Sequence, residues 1–182
     1  MRSNLKEKLK SASSSTNWLK GDVSWVGVKS VSSFQTNNEV NLSLSALAGI
    51  VASDGHLDRN QPVIRVISCD EIFISSVIVP ALRIYSGKNP KVIKSISGFG
   101  RKKFFVIVYS KNLWNLLKNK FNIPVGAKSA KIKPPSDLDK KERLDFLAGW
   151  MAVAGSVTFE RKTPKIEVWS KSLDILKCLS EL

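Results

Sequence analysis

The chain has few of the side chains on which several common kinds of site depend. Its 182 residues include two cysteines, Cys69 and Cys178, and a single histidine, His56. A zinc finger needs four ligands drawn mainly from these two residue types, and a histidine-based nuclease cluster needs more than one histidine, so the composition argues against both kinds of site. Two isolated cysteines also argue against a disulfide framework and favour a reducing compartment.

Long apolar segments are also missing from the sequence. No stretch approaches the roughly eighteen consecutive apolar residues that a membrane span requires. Residues 1–7 are charged and lack the apolar core of a secretory signal. The sequence therefore predicts an intracellular protein without membrane association, located in the cytoplasm or at the nucleoid.

Positive charge is what the chain has in excess. Its 29 lysine and arginine residues outnumber 15 acidic residues, which gives a net charge of +14. An excess of this size indicates a polyanionic partner, either nucleic acid or an anionic membrane surface. The basic residues fall in strand-like segments bounded by turn signals, which favours a nucleic-acid platform over an amphipathic membrane helix. A solvated basic surface without a specific function is the remaining alternative.

An internal repeat organises most of the chain. Segment 44–55 recurs one hundred positions later as segment 144–155, and the two copies share the frame L-x-x-L-A-G-x-x-A-x-x-G. Each copy is followed by a predicted strand and then by an apolar helix. These elements lie at 63–68 and 72–85 after the first copy, and at 165–170 and 173–182 after the second.

The first repeat is the longer of the two. Its pattern predicts two further strands and a last helix. We assign the first repeat as an α-β-β-α-β-β-α unit and the second as α-β-β-α, with bounds for only one strand of the pair that follows each motif helix. The further elements are expected at 91–96, 104–109 and 111–121. We therefore expect four parts, which are a basic N-terminal extension at 1–40, a first repeat at 41–126, a lysine-rich linker at 127–143 and an incomplete second repeat at 144–182.

Small residues mark one face of each repeated helix. Small side chains at this spacing allow two helix backbones to approach closely, with leucines packed around the contact. The expected contact residues are Leu47, Ala48, Gly49, Ala52, Leu147, Ala148, Gly149 and Ala152. Gly55 and Gly155 are expected to end the two helices in the left-handed conformation that glycine adopts most easily. A helix pair with a purely structural role is the alternative interpretation.

The repeated motif resembles that of a known family. Segment 47–55, LAGIVASDG, resembles the LAGLIDADG motif, and segment 147–155, LAGWMAVAG, resembles its second copy. Residues 123–135 resemble the lysine block between the two motifs of intein and archaeal members, and residues 23–31 resemble a strand of an intein splicing domain. The chain is thus similar to the monomeric, two-repeat LAGLIDADG homing endonucleases. The resemblance implies an α+β fold in which antiparallel sheets flank a central pair of motif helices.

The resemblance also implies a chemistry. Members of the family bind specific double-stranded DNA and cleave it with Mg²⁺ or another divalent cation, which acids at the ends of the motif helices hold near the scissile phosphates. Asp54 occupies the acid position of the first motif and is expected to be a catalytic metal ligand. Lys128 is carried over as a catalytic basic residue that orients water or stabilises developing charge. The second motif has Ala154 at its acid position, so half of the paired set is missing.

Basic residues on strands and turns are the expected DNA contacts. A twisted antiparallel sheet can lie in the major groove with alternate side chains at the base edges, and residues in turns more readily contact phosphates. The candidates are Arg65, Lys94, Arg101, Lys102, Lys103, Lys131, Lys133, Arg161, Lys162 and Lys165.

Three functional hypotheses follow from these observations. The first is an intron or intein endonuclease that cuts both strands or nicks one. The second is a binding module without hydrolysis, either a maturase that acts on intron RNA or a DNA-binding regulator. The third is an inert remnant, because a two-stranded sheet with an open edge is a weak unit. We expect a monomer with pseudo-two-fold symmetry, or a dimer if another chain completes the second repeat.

Overall fold

The computed structural model of the protein describes residues 42–96, 102–128, 131–160 and 163–180. The expectations for the N-terminal extension 1–40, for its strand-like segment 23–31 and for Arg101, Arg161 and Lys162 lie outside these residues. Within the described ranges, no helix is both long enough and apolar enough to cross a membrane.

The first repeat follows the predicted order α-β-β-α-β-β-α. Its elements are α1 (Leu44–Asp54), β1 (Gly55–Leu57), β2 (Val63–Ser68), α2 (α-helical at Glu71–Phe73 and Val79–Ser86, π-helical at Ile74–Ile78), β3 (Lys91–Ile96), β4 (Lys102–Tyr109) and α3 (Lys111–Asn119). Ser43 caps the start of α1, where its side chain accepts a hydrogen bond from the Ala46 N–H at 3.1 Å. The π-helical turn lies just before Pro80, which has no N–H to donate to the preceding turn.

The second repeat follows the order α-β-β-α, also as predicted. Its elements are α4 (Lys140–Ala154), β5 (Gly155–Glu160), β6 (Thr163–Val168) and α5 (Leu173–Ser180). Asp139 caps the start of α4 by accepting a hydrogen bond from the Glu142 N–H at 2.7 Å. The motif helix therefore begins four residues before Leu144, where the repeated frame begins.

Antiparallel sheets accompany the helices, so the predicted α+β fold is confirmed. In the described residues the first sheet has the strand order β1-β2-β4-β3, and the second sheet pairs β5 with β6. Strand β2 pairs with β4 from Val63↔Tyr109 to Ser68↔Phe104, and β3 pairs with β4 from Lys91↔Ile107 to Ile96↔Lys102. This register fixes which side chains share a face of the sheet, because side chains alternate between the two faces.

The inner face of the first sheet is the one that packs on helices. Its central residues Ile64, Val66, Phe104, Val106 and Val108 are buried in one hydrophobic core that includes residues of α1, α2, α3 and α4. The opposite face, here called the outer face, carries the alternate residues. They are His56, Val63, Arg65, Ile67, Lys91, Ile93, Ser95, Lys103, Phe105, Ile107 and Tyr109.

The second sheet differs from the first in how far its apolar face is covered. Val157 pairs with Ile166, in the position that Leu57 and Ile64 occupy in the first repeat. Leu57 and Ile64 are 0% exposed, whereas Val157 and Ile166 are 62% and 52% exposed. In the first repeat, β4 pairs with β2 and α3 contributes to the core, and the described part of the second repeat has no counterpart of β3, β4 or α3.

Candidate functional site

The two motif helices, α1 and α4, pack side by side at backbone distance. A β-carbon built on Gly49 would lie 1.9 Å from the Phe146 carbonyl oxygen, and one built on Gly149 would lie 2.0 Å from the Ala46 carbonyl oxygen. Gly49 and Gly149 occupy equivalent positions in the two repeats, and so do Ala46 and Phe146. The contact between the two motif helices, here called the seam, is therefore pseudo-two-fold symmetric. No side chain larger than a hydrogen atom fits at either glycine without moving the helices apart.

The other expected seam residues differ in their burial. Leu47, Ala48, Ala52 and Leu147 are buried and Ala148 is half-buried. Ala152 is exposed, so the expectation that it packs in the contact is wrong. Ala152 lies in the last turn of α4, next to a two-stranded sheet whose own apolar residues are exposed, so this side of the helix is not covered as it is in the first repeat.

The glycines that end the motif helices are required for a different reason from the expected one. Gly55 has φ −88° and Gly155 has φ −96°, so both are extended and the expected left-handed conformation is wrong. The chain passes directly from each helix into a strand. A β-carbon on Gly55 would lie 2.6 Å from the Val51 α-carbon, and one on Gly155 would lie 2.7 Å from the Met151 carbonyl oxygen. Lack of space above the preceding turn, rather than a positive φ, requires glycine at both positions.

Asp54 is the last residue of the motif helix α1, and it is exposed. Its Oδ1 atom accepts a hydrogen bond from the Ser53 hydroxyl at 3.4 Å. Partial burial raises the pKa of the Asp54 carboxyl, while the Lys128 ammonium and the Ser53 hydroxyl act in the opposite direction. The carboxyl group therefore combines access to solvent with incomplete hydration, which suits a group that binds a cation.

Lys128 caps the C-terminal end of α1. Its Nζ atom donates to the carbonyl oxygens of Val51, Ala52 and Ser53 at 2.6, 2.6 and 2.8 Å. An ammonium group has three N–H donors, and all three are used here. Helix ends carry unpaired carbonyl groups and partial negative charge, so a cation stabilises this position. Burial lowers the pKa of Lys128 to about 7, and the Asp54 carboxylate opposes that shift.

The equivalent end of α4 carries no acid. Ala154 is its last residue and is half-buried, and its side chain cannot bind a metal ion. Among the described residues, no group of three or more histidine, cysteine, aspartate or glutamate side chains could hold a metal. Mg²⁺ is commonly held by one or two carboxylates together with substrate phosphates and water. The donors therefore fit a cation shared between Asp54 and a bound phosphate, and they do not fit a site made by the protein alone.

The first sheet divides its basic candidates between its two faces. Arg65 and Lys103 lie on the outer face, and the Arg65 Nη2 atom is 3.4 Å from an Asp58 carboxylate oxygen. Lys94 and Lys102 lie on the other face, where the Lys94 Nζ atom is 5.5 Å from the centre of the Phe104 ring. Alternation along β3 and β4 turns Lys94 and Lys102 away from Arg65, so the four candidates do not share one face of the sheet.

The remaining described candidates lie elsewhere on the surface. Lys131 and Lys133 are exposed in the segment between the repeats. Lys165 lies on β6 and pairs with Glu167, its Nζ atom 3.1 Å from a carboxylate oxygen. The structure thus brings Asp54 and Lys128 together at the end of α1 and leaves the basic residues spread over separate elements.

Sequence reasoning missed two features of this surface. Asp58, whose carboxylate also accepts the backbone N–H groups of Asn60 and Gln61, holds Arg65 at the end of β1. The centre of the outer face is apolar, with Ile67, Ile93 and Tyr109 exposed. The alternation of side chains along β2, β3 and β4 could have indicated the apolar face. Combining the three strands into one face, however, requires their pairing register, which the sequence does not give.

No protein-family profile matches the chain. The homing endonuclease I-ApeI from Aeropyrum pernix is 26% identical over 120 residues, which are 63% of this chain and 52% of that protein. The chain therefore spans about half the length of this curated relative.

Solved structures resemble the fold. A structure of mesophilic variants of the homing endonuclease I-DmoI aligns with a TM-score of 0.50 at 16% identity, over 76% of this chain and 68% of that one. I-DmoI in complex with DNA and Ca aligns with a TM-score of 0.49 at 17% identity, over the same two shares. Together with the repeated motif and the backbone seam, the curated relative and the shared fold show that the chain is similar to the LAGLIDADG homing endonucleases.

Proposed function

We propose that the chain binds a specific double-stranded DNA site and cleaves one of its two strands. One observation carries this proposal: the two motif helices share a symmetric seam, and one ends in Asp54 while the other ends in Ala154. In a symmetric pair, each helix end would lie near the scissile phosphate of one strand of the duplex. Of the two helix ends, both within the described residues, only that of α1 supplies a carboxylate.

Charge and family support DNA as the partner. The net charge of +14 favours a polyanion, and the curated relative is a homing endonuclease. Arg65 and Lys103 give the outer face of the first sheet positive charge, and strands of an antiparallel sheet can present alternate side chains to a major groove. We place the duplex against this face because helices cover the central strands on the other one.

The end of α1 provides the candidate chemistry. A divalent cation held between Asp54 and the scissile phosphate would polarise the phosphate and help to neutralise charge that develops in the reaction. Asp54 would bind and orient that cation. Lys128 would hold the end of the helix in place through its three carbonyl contacts and keep a positive charge near the phosphate. With all three donors engaged, Lys128 would act on water only after leaving at least one carbonyl oxygen.

A plasmid assay tests this proposal. A binding site is first selected from random duplexes with the full chain and cloned into a supercoiled plasmid. We expect the parent chain to convert the plasmid to the nicked circle in the presence of Mg²⁺ or Mn²⁺. In the presence of EDTA, the plasmid should remain supercoiled. The Ala154→Asp variant should produce linear product, because it restores the second acid.

The Asp54→Asn variant is the matched control for this assay. It keeps the size of the side chain and removes its charge, so it should bind the selected site and fail to nick it. Nicking that persists in Asp54→Asn would contradict the role of Asp54. A plasmid without the selected site should remain intact.

A DNA-binding module without hydrolysis is the second candidate function. Two observations favour it, namely the missing acid at Ala154 and the complete use of the Lys128 donors in capping α1. Tight and selective duplex binding, with no cleavage by the parent or by Ala154→Asp, would support this candidate over the nicking enzyme. Selection of RNA in preference to duplex DNA would instead favour a maturase.

A further inference from the structure

The outer face of the first sheet has an unusual distribution of polarity for a surface that meets DNA. Its centre is formed by an apolar patch from three neighbouring strands, and this patch consists of Ile67, Ile93, Phe105, Ile107 and Tyr109. Ile67, Ile93 and Tyr109 are 37%, 39% and 53% exposed, and the other two are half-buried. These side chains point away from the helices, so the core of the protein does not account for them.

Charged residues lie around this patch rather than within it. Lys91 begins β3 and Lys103 lies near the start of β4, and both are exposed on the same face. Lys103 lies beyond Phe105 at one end of the patch, whereas Lys91 pairs with Ile107 and flanks the patch on the side of β3. Arg65 lies beside Ile107 and is held by Asp58. An apolar centre with cations at its margins complements a major groove, where the bases lie between two rows of phosphates.

The base edges in a major groove differ in what they offer to an apolar side chain. Thymine presents a C5-methyl group, whereas guanine presents two hydrogen-bond acceptors, N7 and O6. Isoleucine cannot donate to those acceptors, and covering them without a partner is unfavourable. Contact with a thymine methyl group buries apolar surface on both sides.

We infer that the DNA site bound by the first repeat is rich in A·T pairs, and that the patch recognises it through the methyl groups of thymine. This inference rests on the proposed DNA-binding function. It assigns Ile67, Ile93 and Tyr109 as specificity-determining residues, and it assigns Lys91 and Lys103 to the flanking phosphates.

Replacement of thymine by deoxyuridine tests the inference, because it removes the methyl group and leaves base pairing intact. The site selected with the full chain should contain a run of A·T pairs in one half. Replacement of one thymine that contacts the patch should lower the affinity of the protein for the site about fourfold. This factor corresponds to about 0.8 kcal/mol for one buried methyl-sized group. The same replacements in the other half of the site should have less effect.

A pair of variants in one strand links the effect to the patch. Ile93 lies on the outer face and Ile96 lies on the opposite face of β3, and both are exposed. The Ile93→Ser variant should reduce the preference for thymine over deoxyuridine by about fourfold at one position. The Ile96→Ser variant, which makes the same change at a position facing away from the DNA, should keep the full preference.

The outcomes separate this inference from the function on which it rests. A selected site with equal affinity for thymine and deoxyuridine in both halves would overturn the inference and leave specific DNA binding intact. A loss of preference in Ile96→Ser equal to that in Ile93→Ser would also overturn it. A chain that enriches no duplex at all would contradict the proposed function and the inference together.

Discussion

Lys128 shows how the role of a single residue can differ from the role that its position in a motif implies. The family resemblance implies a basic residue that acts near the phosphate. In the structure its ammonium group contacts three carbonyl oxygens at the end of α1. It therefore stabilises the helix end that carries Asp54.

Replacement of Lys128 by methionine should destabilise the protein. The change leaves the carbonyl groups of Ala52 and Ser53 without this partner, and loss of such contacts to partly buried groups costs about 1–3 kcal/mol. Chemical denaturation of Lys128→Met would measure the change. Lys133→Met is the matched control, because Lys133 is exposed in the same segment, and its effect should stay within about 0.5 kcal/mol. Equal stability of the two variants would refute the capping role.

At the scale of the element, the seam between α1 and α4 determines where the candidate chemistry can occur. The two helices approach so closely that each glycine meets a backbone carbonyl group of the partner helix. This contact fixes the distance between the end with Asp54 and the end with Ala154. In the proposed function, this distance sets how the two helix ends meet the two strands of the duplex.

Alanine in place of Gly49 or Gly149 should destabilise the seam. Helix propensity alone predicts a gain of about 1 kcal/mol for glycine to alanine. The added β-carbon would instead lie 1.9 or 2.0 Å from a backbone oxygen, so we expect a loss of about 1–3 kcal/mol through overpacking. Thermal unfolding of both variants would decide the sign. Ala152→Ser, at an exposed position of the same helix, should leave the midpoint nearly unchanged.

The strand β4 offers a test of the face of the first sheet that we propose as the DNA-binding face. Lys102 and Lys103 are neighbours in sequence and lie on opposite faces. Replacement of Lys103 by glutamine should reduce the slope of log affinity against log salt concentration by about 0.9, the contribution of one phosphate contact. Lys102→Gln should change the slope less. A salt titration in which Lys102→Gln has the larger effect would place the DNA on the other face.

At the scale of the whole molecule, the two repeats are unequal in what they bury. The core contains residues of both motif helices, yet the apolar residues of β5 and β6 remain exposed where their first-repeat counterparts are buried. A two-stranded sheet gains little stability by itself, and three or more strands or a packed helix are usually needed. Stability should therefore be concentrated in the first repeat and the seam.

Hydrogen exchange should reveal this inequality. We expect amides in β2 and β4 to be protected to nearly the global stability, because they lie in the interior of a four-stranded sheet. Amides shared between β5 and β6 should exchange at least about tenfold faster through local opening. Uniform protection of the two sheets in a mass-spectrometric time course would contradict the expected difference.

The sequence by itself determined the order of the elements, because that order depends on local signals. The repeated frame placed both motif helices, and alternating or apolar runs placed strands such as Lys91–Ile96 at the bounds found in the structure. The frame also located Asp54 and the missing acid at Ala154, since both follow from fixed spacing within a single helix. These features need no knowledge of which segments meet in space.

Only the tertiary structure decided which side chains act together. Lys94 and Lys102 lie on the face opposite to Arg65 because strand register, set by pairing between distant segments, determines the face of each residue. Lys128 became a cap because the chain after α3 returns to the end of α1, a contact over 77 residues of sequence. The extended conformation of Gly55 likewise depended on the strand into which the helix leads. Spacing along a chain fixes position within an element, and packing between elements fixes what each position can touch.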